Sequence, residues 1–494
     1  MRDSDSYGVN GSEADHITTK PRSNYIQKCT LILSAISFAI LAVLIALVSA
    51  TFSRVTKQKV VMETLVAPYP SLGIPGYENQ SWDDIVASVS GQTVRFYTCA
   101  TCARYNSMID NFVIPQLQQT YGINMIRVPA DAANVVVSVQ AEMTAGNTNK
   151  GSVDMVWVNL ENFANLKRNG LVYGPWADKV PSIVNFNRTD TSVFFDGGLA
   201  IDGYELPYNG AQCVFIYNKQ LITSAAETTA IRTVAGLGTW LKSNPGRFTY
   251  AAPGIQADGK TGDYTGSAFL RHVFYALSGP YTDFLQTTVN MDLYKARAPK
   301  TFQFLRSIEP YLYKETVGVV VGTGASYPTA NAAVDKLFAQ KRIALTISYD
   351  AFYASKQILS TGTASWNTTD PQGYILDSGT IANTNYLAIP ANSPNKLAAV
   401  VAANAMASPA EMFYRYKVVG ALQVFDPTLD VFTTGGWNTA FDSIPTPSQV
   451  PPRAARVAGR LGELSGAYIT QIQADWYKCV LKYTGPSADS PQCG

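Results

Sequence analysis

A Cys-x-x-Cys motif is the first feature of the sequence that could carry chemistry. Cys99 and Cys102 lie in the stretch RFYTCATCARYN, between an apolar run that predicts a strand and a pattern that predicts a helix. A helix N-terminus stabilises a cysteine thiolate, and this order of elements is typical of thioredoxin-like redox sites. The motif therefore raises two hypotheses: a dithiol that exchanges disulfides, or a loop with another function that a local disulfide closes.

A second motif, GIQADGKT at residues 254–261, matches the phosphate-binding pattern G-x-x-x-x-G-K-[ST]. In a P-loop the helix begins at the Gly-Lys-Thr, so that its N–H groups hold the phosphates. Here Gly262 and Asp263 follow directly, and the helical pattern begins only near Thr265. We therefore interpret the motif as a chance match in a loop, with a nucleotide-binding enzyme acting through Lys260 as a minor alternative.

The composition describes a folded, aromatic-rich protein and excludes several function classes. The 494 residues are enough for two or three domains, and 47% are hydrophobic while 15% are charged. A net charge of +2 gives no sign of a nucleic-acid partner. The two histidines, His16 and His272, lie far apart, so a His-rich metal site or a Ser/His/Asp hydrolase has little support. We expect no metal site, no cofactor and no catalytic residue.

An apolar segment at residues 29–52, CTLILSAISFAILAVLIALVSATF, carries no charge and is long enough to span ~30 Å of hydrocarbon. Basic residues lie on both sides of it, so the positive-inside rule does not set its orientation. Its length and the 28 residues before it predict a retained signal anchor. A cleaved signal peptide, with the small residues at 48–50 as its cleavage site, is the alternative. Either way, we expect the rest of the chain to lie outside the cell or in a lumen.

The cysteines and the glycosylation motifs agree with that location. The chain has six cysteines, as expected in an oxidising compartment. Cys479 and Cys493 form one plausible disulfide and Cys99 and Cys102 another, which leaves Cys213 unpaired. Three Asn-x-Ser/Thr motifs in the same part of the chain predict N-glycosylation: Asn79, Asn187 and Asn367.

From residue 92 onward, predicted strands alternate with predicted helices. The strands are expected at 93–99, 123–128, 153–158, 211–218, 247–253 and 342–350, and a capped helix begins at Ser408, with Glu411 at its third position. Continuous apolar strands that alternate with helices indicate a parallel sheet covered on both faces. In such sheets ligands bind beyond the carboxyl ends of the strands, where polar side chains follow here.

Five stretches resemble bacterial ABC-transporter solute-binding proteins: GSVDMVWVNLENF (151–163), LPYNGAQCVFIYN (206–218), YTGSAFLR (264–271), TISYDAF (346–352) and GTIANTNYLAIPANSPNKLAAVVAANAMASPAE (379–411). The most similar subgroup is an uncharacterised one placed near thiamine, polyamine and iron binders. The resemblance covers about residues 92–483 in consistent order. It implies a type II periplasmic-binding fold, in which two α/β lobes are joined by two crossover strands and close on a ligand by a hinge.

The resemblance and the composition together divide the chain. We expect a polar tail (1–28), a transmembrane anchor (29–52), a Pro/Gly-rich stalk (53–90), a first lobe (91–210), a second lobe (211–347), a return to the first lobe (348–450) and a C-terminal helical segment (451–494). The chain should pass between the lobes at 208–211 and again near 348–350.

In the family that it resembles, the loop after the first strand contacts the ligand and commonly carries Gly-Gly. This chain has Cys99-Ala-Thr-Cys102 there, so the resemblance favours a binding loop closed by a local disulfide over a catalytic dithiol. The ligand-binding residues expected from the strand ends and the matching motifs are Thr98, Cys99, Thr101, Asn106, Asn159, Glu161, Asn162, Tyr208, Asn209, Tyr264, Thr265, Tyr349, Asp350, Asn383 and Asn385.

The resemblance predicts a receptor without catalytic activity: a membrane-anchored protein that captures a small polar solute for uptake or sensing, with a permease or a signalling protein as partner. Two carboxylates, Glu161 and Asp350, together with nearby tyrosines, favour an organic cation over an anion. The alternative function is a thiol-disulfide oxidoreductase that uses Cys99 and Cys102.

Overall fold

The structure, a computed structural model, describes residues 73–100, 102–253, 264–314, 319–321, 326–361, 365–487 and 489–494. The chain divides into two units, Met1–Tyr69 and Pro70–Gly494, and the described residues belong to the second. The predicted tail, anchor and most of the stalk, as well as the P-loop-like motif, lie outside these ranges. Among the described residues, no helix has both the length and the apolar character that crossing a bilayer requires.

Short strands supply the sheets. They are β1 (Thr93–Cys99), β2 (Asn124–Ala130), β3 (Met155–Val158), β4 (Phe195–Asp196), β5 (Leu199–Ala200), β6 (Glu205–Gln212), β7 (Val214–Asn218), β8 (Val319–Val321), β9 (Ser326–Pro328), β10 (Leu345–Ser348), β11 (Pro371–Tyr374), β12 (Thr380–Ala388) and β13 (Arg460–Leu461). The strand predicted at 93–99 is confirmed residue for residue, and those at 123–128 and 153–158 are confirmed within two residues.

Helices cover the sheets. They are α1 (Trp82–Ser88), α2 (Ala103–Met108), α3 (Ile114–Tyr121), α4 (Ala132–Thr144), α5 (Glu161–Arg168), α6 (Thr191–Phe194), α7 (Ala225–Ala230), α8 (Val234–Ser243), α9 (Tyr264–Ser278), α10 (Met291–Arg297), α11 (Pro299–Ile308), α12 (Asn331–Ala339), α13 (Tyr353–Ile358), α14 (Lys396–Met406), α15 (Pro409–Val419), α16 (Trp437–Asp442), α17 (Arg453–Ala458) and α18 (Gly466–Trp476). The predicted cap of α15 is confirmed, because the Ser408 side chain accepts a hydrogen bond from the Glu411 amide.

The larger sheet defines the first lobe. In it β1 pairs in parallel with β2 and β3, and β12 runs antiparallel to both β3 and β6. Successive side chains of a strand face opposite sides: Met155 and Trp157 of β3 join one apolar cluster, and Val156 and Val158 join the other. Both faces of this sheet are therefore covered, as the continuous apolar strands predicted.

The smaller sheet defines the second lobe. Its central strand β7 pairs antiparallel with β10 on one side and with β11 on the other. Aromatic residues fill the core on one face of it, among them Phe215, Phe269, Phe302 and Trp476. The α/β character and the two sheets agree with the fold class expected from the sequence.

The chain crosses between the sheets at two places. It leaves the first sheet after β6 and enters the second at β7, with Cys213 between them. It returns between Tyr374 of β11 and Thr380 of β12. The return expected near 348–350 is therefore wrong, since residues 371–374 still pair with β7. The motif TISYD ends a strand of the second lobe and does not mark the hinge.

One predicted strand is absent from the ladders. The stretch RFTYAAP at 247–253 is buried but forms only scattered backbone bonds, such as Tyr313 N to Phe248 O and Ala252 N to Pro328 O. Its apolar composition reflects burial in the core of the second lobe, which a short apolar run cannot separate from sheet membership.

The C-terminal segment touches both lobes. Its strand β13 pairs in parallel with the start of β12, while α18 packs into the core of the second lobe. A disulfide joins Cys479 to Cys493 at its end, as the sequence predicted. Residues 451–494 therefore contain a strand and a cross-link in addition to the expected helix.

Candidate functional site

Four asparagines that the sequence singled out meet on one face of the crossover strands. Asn159 follows β3, Asn209 lies on β6, and Asn383 and Asn385 lie on β12. Asn159 Nδ2 donates to the Oδ1 atoms of Asn385 at 2.9 Å and Asn383 at 3.3 Å, and Asn385 Nδ2 donates to Asn209 Oδ1 at 2.9 Å. We call these four residues the amide cluster.

A β-bulge sets the direction of one member of the cluster. The register between β6 and β12 shifts after Asn385, which leaves Tyr208 without a partner on β12. Bulges re-aim side chains and are common beside functional sites. Here Tyr208 and Asn209 both reach Tyr105 of α2: the two tyrosine rings meet edge-on with centroids 6.0 Å apart, and Asn209 Nδ2 donates to Tyr105 Oη at 3.0 Å.

The prediction that the Tyr208 ring stacks on the ligand is wrong in this structure. Its side chain is fully buried, and the guanidinium of Arg415 lies 3.9 Å from its ring centre. Arg415 also donates to the Tyr208 carbonyl oxygen at 2.6 Å. Burial raises the pKa of nearby Glu411 to about 7, an effect that Arg415 opposes. This buried group of side chains supports the crossover strand from behind.

The loop after β1 lies beside the amide cluster and is closed by the predicted disulfide between Cys99 and Cys102. Asn106 Nδ2 donates to the Cys99 carbonyl oxygen at 3.0 Å, which fixes the start of α2 against the loop. Thr98 Oγ1 and Asn106 Oδ1 are buried and have no hydrogen-bond partner among the described residues. Thr101, also predicted as a site residue, lies outside those residues.

An aromatic pair completes this face of the first lobe. The rings of Tyr105 and Trp157 stack with centroids 4.8 Å apart and an angle of 28° between their planes. Trp157 is half-buried, whereas Tyr105 is buried. Sequence reasoning missed both residues. Trp157 could have been found, because it lies two positions before Asn159 on the same face of β3.

The second lobe contains a buried ion pair in contact with the predicted site residue Tyr349. Arg271 of α9 is fully buried, and its Nε lies 3.0 Å from Glu463 Oε1. Its Nη1 donates to Ser267 Oγ at 2.6 Å, and its Nη2 donates to the hydroxyl of Tyr349. The predicted site residue Tyr349 also donates to Glu463 Oε2 at 3.3 Å. No local pattern predicts the Arg271–Glu463 pair, since 192 positions separate its members.

The two carboxylates that favoured a cation are both paired within the chain. Asp350 accepts from the Phe352 amide at 2.9 Å and forms an ion pair with Lys356. Glu161 Oε1 lies 2.9 Å from Arg168 Nη1, and both side chains are about half exposed. Neither carboxylate is therefore an uncompensated negative charge.

Two buried carboxyl groups lie behind the turn that carries Asn159. Asp196 Oδ2 accepts from the Leu160 amide at 2.6 Å, and Leu160 has a left-handed backbone with φ of 55°. Glu205 is fully buried, and neither of its oxygens has a hydrogen-bond partner in the described part of the chain. Burial raises the pKa of Asp196 to about 8, which favours its protonated form at neutral pH, and it raises the pKa of Glu205 well above its usual value.

The remaining predicted residues lie at the edges of the site or on the surface. Asn162 is half-buried in the first turn of α5, and Tyr264 and Thr265 begin α9. The asparagines of the three predicted glycosylation motifs are exposed: Asn79, Asn187 and Asn367. Cys213 is free and buried, and burial raises the pKa of its thiol. The described ranges contain no group of three or more His, Cys, Asp or Glu side chains that could hold a metal ion.

A comparison of the sequence with known families agrees with the fold. The family model for bacterial extracellular solute-binding proteins matches residues 108–437. The chain therefore belongs to the bacterial extracellular solute-binding protein family. A curated relative, protein YnjB of Escherichia coli (strain K12), is 30% identical over 332 residues, which are 66% of this chain and 78% of YnjB. The resemblance inferred from the motifs is thus confirmed at the level of the family.

A solved structure has a similar fold. A periplasmic-binding protein of Synechococcus sp. MITs9220, described as oligosaccharide-binding and crystallised with zinc, is similar over 81% of this chain and 96% of its own, with a TM-score of 0.54 and 15% identity. At this identity the likeness concerns the fold alone. The spermidine/putrescine ABC transporter substrate-binding protein PotD of Streptococcus pneumoniae covers 78% of this chain and 97% of its own, with a TM-score of 0.49 and 13% identity.

Proposed function

We propose that the protein captures a small polar solute between its two lobes, with the amide cluster as the floor of the binding site. The observation that carries this proposal is the position of Asn209, Asn383 and Asn385 midway along β6 and β12. These strands link the two lobes, so a solute bound there contacts the hinge directly. Binding proteins close by hinge rotation around such a ligand.

We infer that the site recognises its solute by hydrogen bonds more than by charge. Each carboxylate that suggested an organic cation, Glu161 and Asp350, is paired with a basic side chain of the same lobe. A cation would have to compete with Arg168 or Lys356 for it. The amide groups bond to one another and to Tyr105 and not to a charged side chain, and their donors and acceptors suit a polar solute.

We also propose that residues 29–52 anchor the binding domain to a membrane, with the domain outside the cell or in a lumen. The uncharged apolar run supports the anchor, and the extracellular character of the family supports the location. The disulfides Cys99–Cys102 and Cys479–Cys493 are consistent with an oxidising compartment. A permease or a signalling protein is the proposed partner, because substrate-binding proteins of ABC transporters deliver their solutes to permeases.

The proposed activity is binding without catalysis. Members of the family are binding proteins, and the family match does not favour a thiol-disulfide oxidoreductase. The Cys99–Cys102 disulfide closes a loop whose carbonyl oxygen at Cys99 holds Asn106. The disulfide stabilises the loop beside the amide cluster, and this structural role explains both cysteines without a redox reaction.

A thermal-shift screen of the full-length chain in detergent tests the proposal. A solute at 100 times its dissociation constant should stabilise the protein by about 2.7 kcal/mol. Asn385→Ala should lower the affinity of any hit at least tenfold, because it removes the centre of the cluster. Asn111→Ala is the matched control, since Asn111 is exposed and bonds only to Ser107 in its own helical segment. A hit that Asn385→Ala binds as well as the wild type would place the site elsewhere.

A further inference from the structure

The hydrogen bonds of the amide cluster run in one direction. Tyr105 Oη accepts from Asn209, Asn209 Oδ1 accepts from Asn385, and Asn385 Oδ1 accepts from Asn159. Asn209 and Asn385 each donate and accept within this chain of bonds, so the orientation of one amide sets the orientation of its neighbours. The cluster therefore orients as one unit, and in this structure its acceptors point toward Asn159 and its donors toward Tyr105.

Two atoms at the end of this chain remain available. Asn159 donates through Nδ2 to both Asn385 and Asn383, and no hydrogen bond within the described ranges reaches its Oδ1. Asn383 accepts through Oδ1, and its Nδ2 likewise has no partner there. Both residues are half-buried, and neither atom is among the buried polar atoms that lack a partner. The cluster thus offers solvent one acceptor, Asn159 Oδ1, and one donor, Asn383 Nδ2.

The groups described at this site include no unpaired charge. The four amides cannot ionise, Glu161 pairs with Arg168, and Arg271 pairs with Glu463. A charged group moved from water into a closed cleft needs an opposite charge there, whereas a hydroxyl needs only one acceptor and one donor. The half-buried Trp157, stacked on Tyr105, adds an apolar surface beside the pair.

We propose, on the basis of the proposed binding function, that the solute is an uncharged polyhydroxy compound of the sugar or polyol class. One hydroxyl group donates to Asn159 Oδ1 and accepts from Asn383 Nδ2, or two adjacent hydroxyl groups share these roles. The carbon face of the compound packs against Trp157. Tyr105 anchors the orientation of the amides and thereby the choice of solute.

Asn383→Asp separates recognition from folding. The aspartate keeps an Oδ1 acceptor for Asn159, so the internal bonds of the cluster persist, and only the free N–H₂ donor becomes a carboxylate oxygen. Binding of a polyhydroxy compound should fall at least tenfold, while the melting temperature of the solute-free protein stays within 2–3 °C, roughly the shift of a surface substitution. Asn111→Asp introduces the same charge on the exposed surface and should leave binding unchanged.

The test uses the full-length chain and isothermal titration with D-glucose, trehalose, mannitol, spermidine, thiamine and sulfate, each at 20 and 500 mM NaCl. We expect at least one of the first three to bind, with an affinity that salt does not change, because an uncharged ligand has no screened interaction. Binding of spermidine, thiamine or sulfate alone would overturn the polyhydroxy assignment and leave the binding function standing. Equal affinity of Asn383→Asp and wild type for a sugar would also overturn it. Failure of all six compounds to bind would count against the solute class, and the wider screen with Asn385→Ala would then decide whether the binding function also fails.

Discussion

The two lobes, which we propose as the walls of the binding site, use polar side chains in opposite ways. On the first lobe, the amide cluster is uncharged and leaves Asn159 Oδ1 and Asn383 Nδ2 without a partner in the described chain. On the second lobe, Arg271 is fully buried, Glu463 is 3% exposed, and the two bind each other and Tyr349. The first wall holds groups ready for a solute, and the second holds charges that satisfy one another.

The difference follows from the cost of burying charge. A buried ion needs a partner of opposite charge, so Arg271 and Glu463 are compatible with the folded state only as a pair. Removing either one leaves the other as an uncompensated buried charge. An amide can keep a donor or an acceptor free at far smaller cost, because water replaces the solute when the cleft is open. We therefore expect the neutral wall to recognise the solute and the charged wall to stabilise the fold.

Glu463→Ala should show the largest effect, a loss of about 3–5 kcal/mol in the free energy of unfolding, because it leaves the buried Arg271 guanidinium without its carboxylate. Denaturant titration followed by circular dichroism measures this loss. The double variant Arg271→Leu with Glu463→Leu should recover most of it.

The matched control is Glu161→Ala on the first lobe. It breaks an ion pair whose members are 56% and 45% exposed, so the expected loss is about 0–1 kcal/mol. Equal losses from the two glutamate variants would contradict the contrast between the walls.

Removing the C-terminal disulfide should mainly reduce stability, and removing the disulfide of the first lobe should mainly reduce solute affinity. Replacing Cys479 and Cys493 by alanine opens a loop of about 15 residues and should cost about 3 kcal/mol of stability in the chain-entropy model. The same replacement of Cys99 and Cys102 opens a four-residue ring and should cost about 2 kcal/mol, with a larger effect on solute affinity because Cys99 lies beside the amide cluster. A C-terminal variant that loses affinity more than stability would contradict this division.

Asp196→Asn should flatten the dependence of stability on pH. Burial raises the pKa of Asp196 to about 8 in the folded protein, whereas an unfolded aspartate has a pKa of about 4. Between these values the folded state binds the extra proton, so stability falls as pH rises toward 8. The asparagine removes this contribution, about 1.4 kcal/mol per pH unit for one proton. Melting temperatures at pH 6.5, 7.2 and 8 measure the slope in both proteins.

The pH window is chosen to exclude His272. Burial lowers the pKa of this histidine to about 3, so its effect on stability appears only as pH falls below about 6.5. Glu205 and Glu411, whose pKa values burial also raises, act in the same direction as Asp196 and remain in the variant. A reduced slope is therefore expected, and an unchanged slope would show that Asp196 is ionised at pH 6.5.

Asp350→Asn should have the smallest effect, less than twofold on solute affinity, because Asp350 is paired with Lys356 and caps its own turn at the Phe352 amide. Titration of wild type and variant with the best solute measures it, with Lys356→Met as the matched change on the other side of the pair. A tenfold loss, about 1.4 kcal/mol, would restore Asp350 as a ligand for a cationic solute.

Sequence reasoning located most of the first lobe's side of the site because its signals are local. The apolar run at Thr93–Cys99 predicts β1 to the residue, and motifs shared with the family contain all four asparagines: Asn159, Asn209, Asn383 and Asn385. That the four amides bond to one another depends on the pairing of β6 with β12. Only the structure gives this pairing.

The predictions from the sequence fail where contacts between distant parts of the chain determine the structure. The burial of Tyr208 depends on a bulge against β12 and on Arg415, 207 positions away. The return crossing was misplaced because β11 pairs with β7 more than 150 residues earlier in the chain. Tyr105 was missed because nothing in its neighbourhood distinguishes it from the core tyrosines that an aromatic-rich chain must bury.

The short strand β13 widens the connection between the lobes. β13 pairs with Thr380 and Ile381 of β12, directly beyond the residues of β12 that pair with β6. A third strand therefore joins the connection at the point where the chain returns to the first lobe. We expect this extra strand to restrict sliding of one lobe past the other and to leave rotation about an axis across the strands as the main motion.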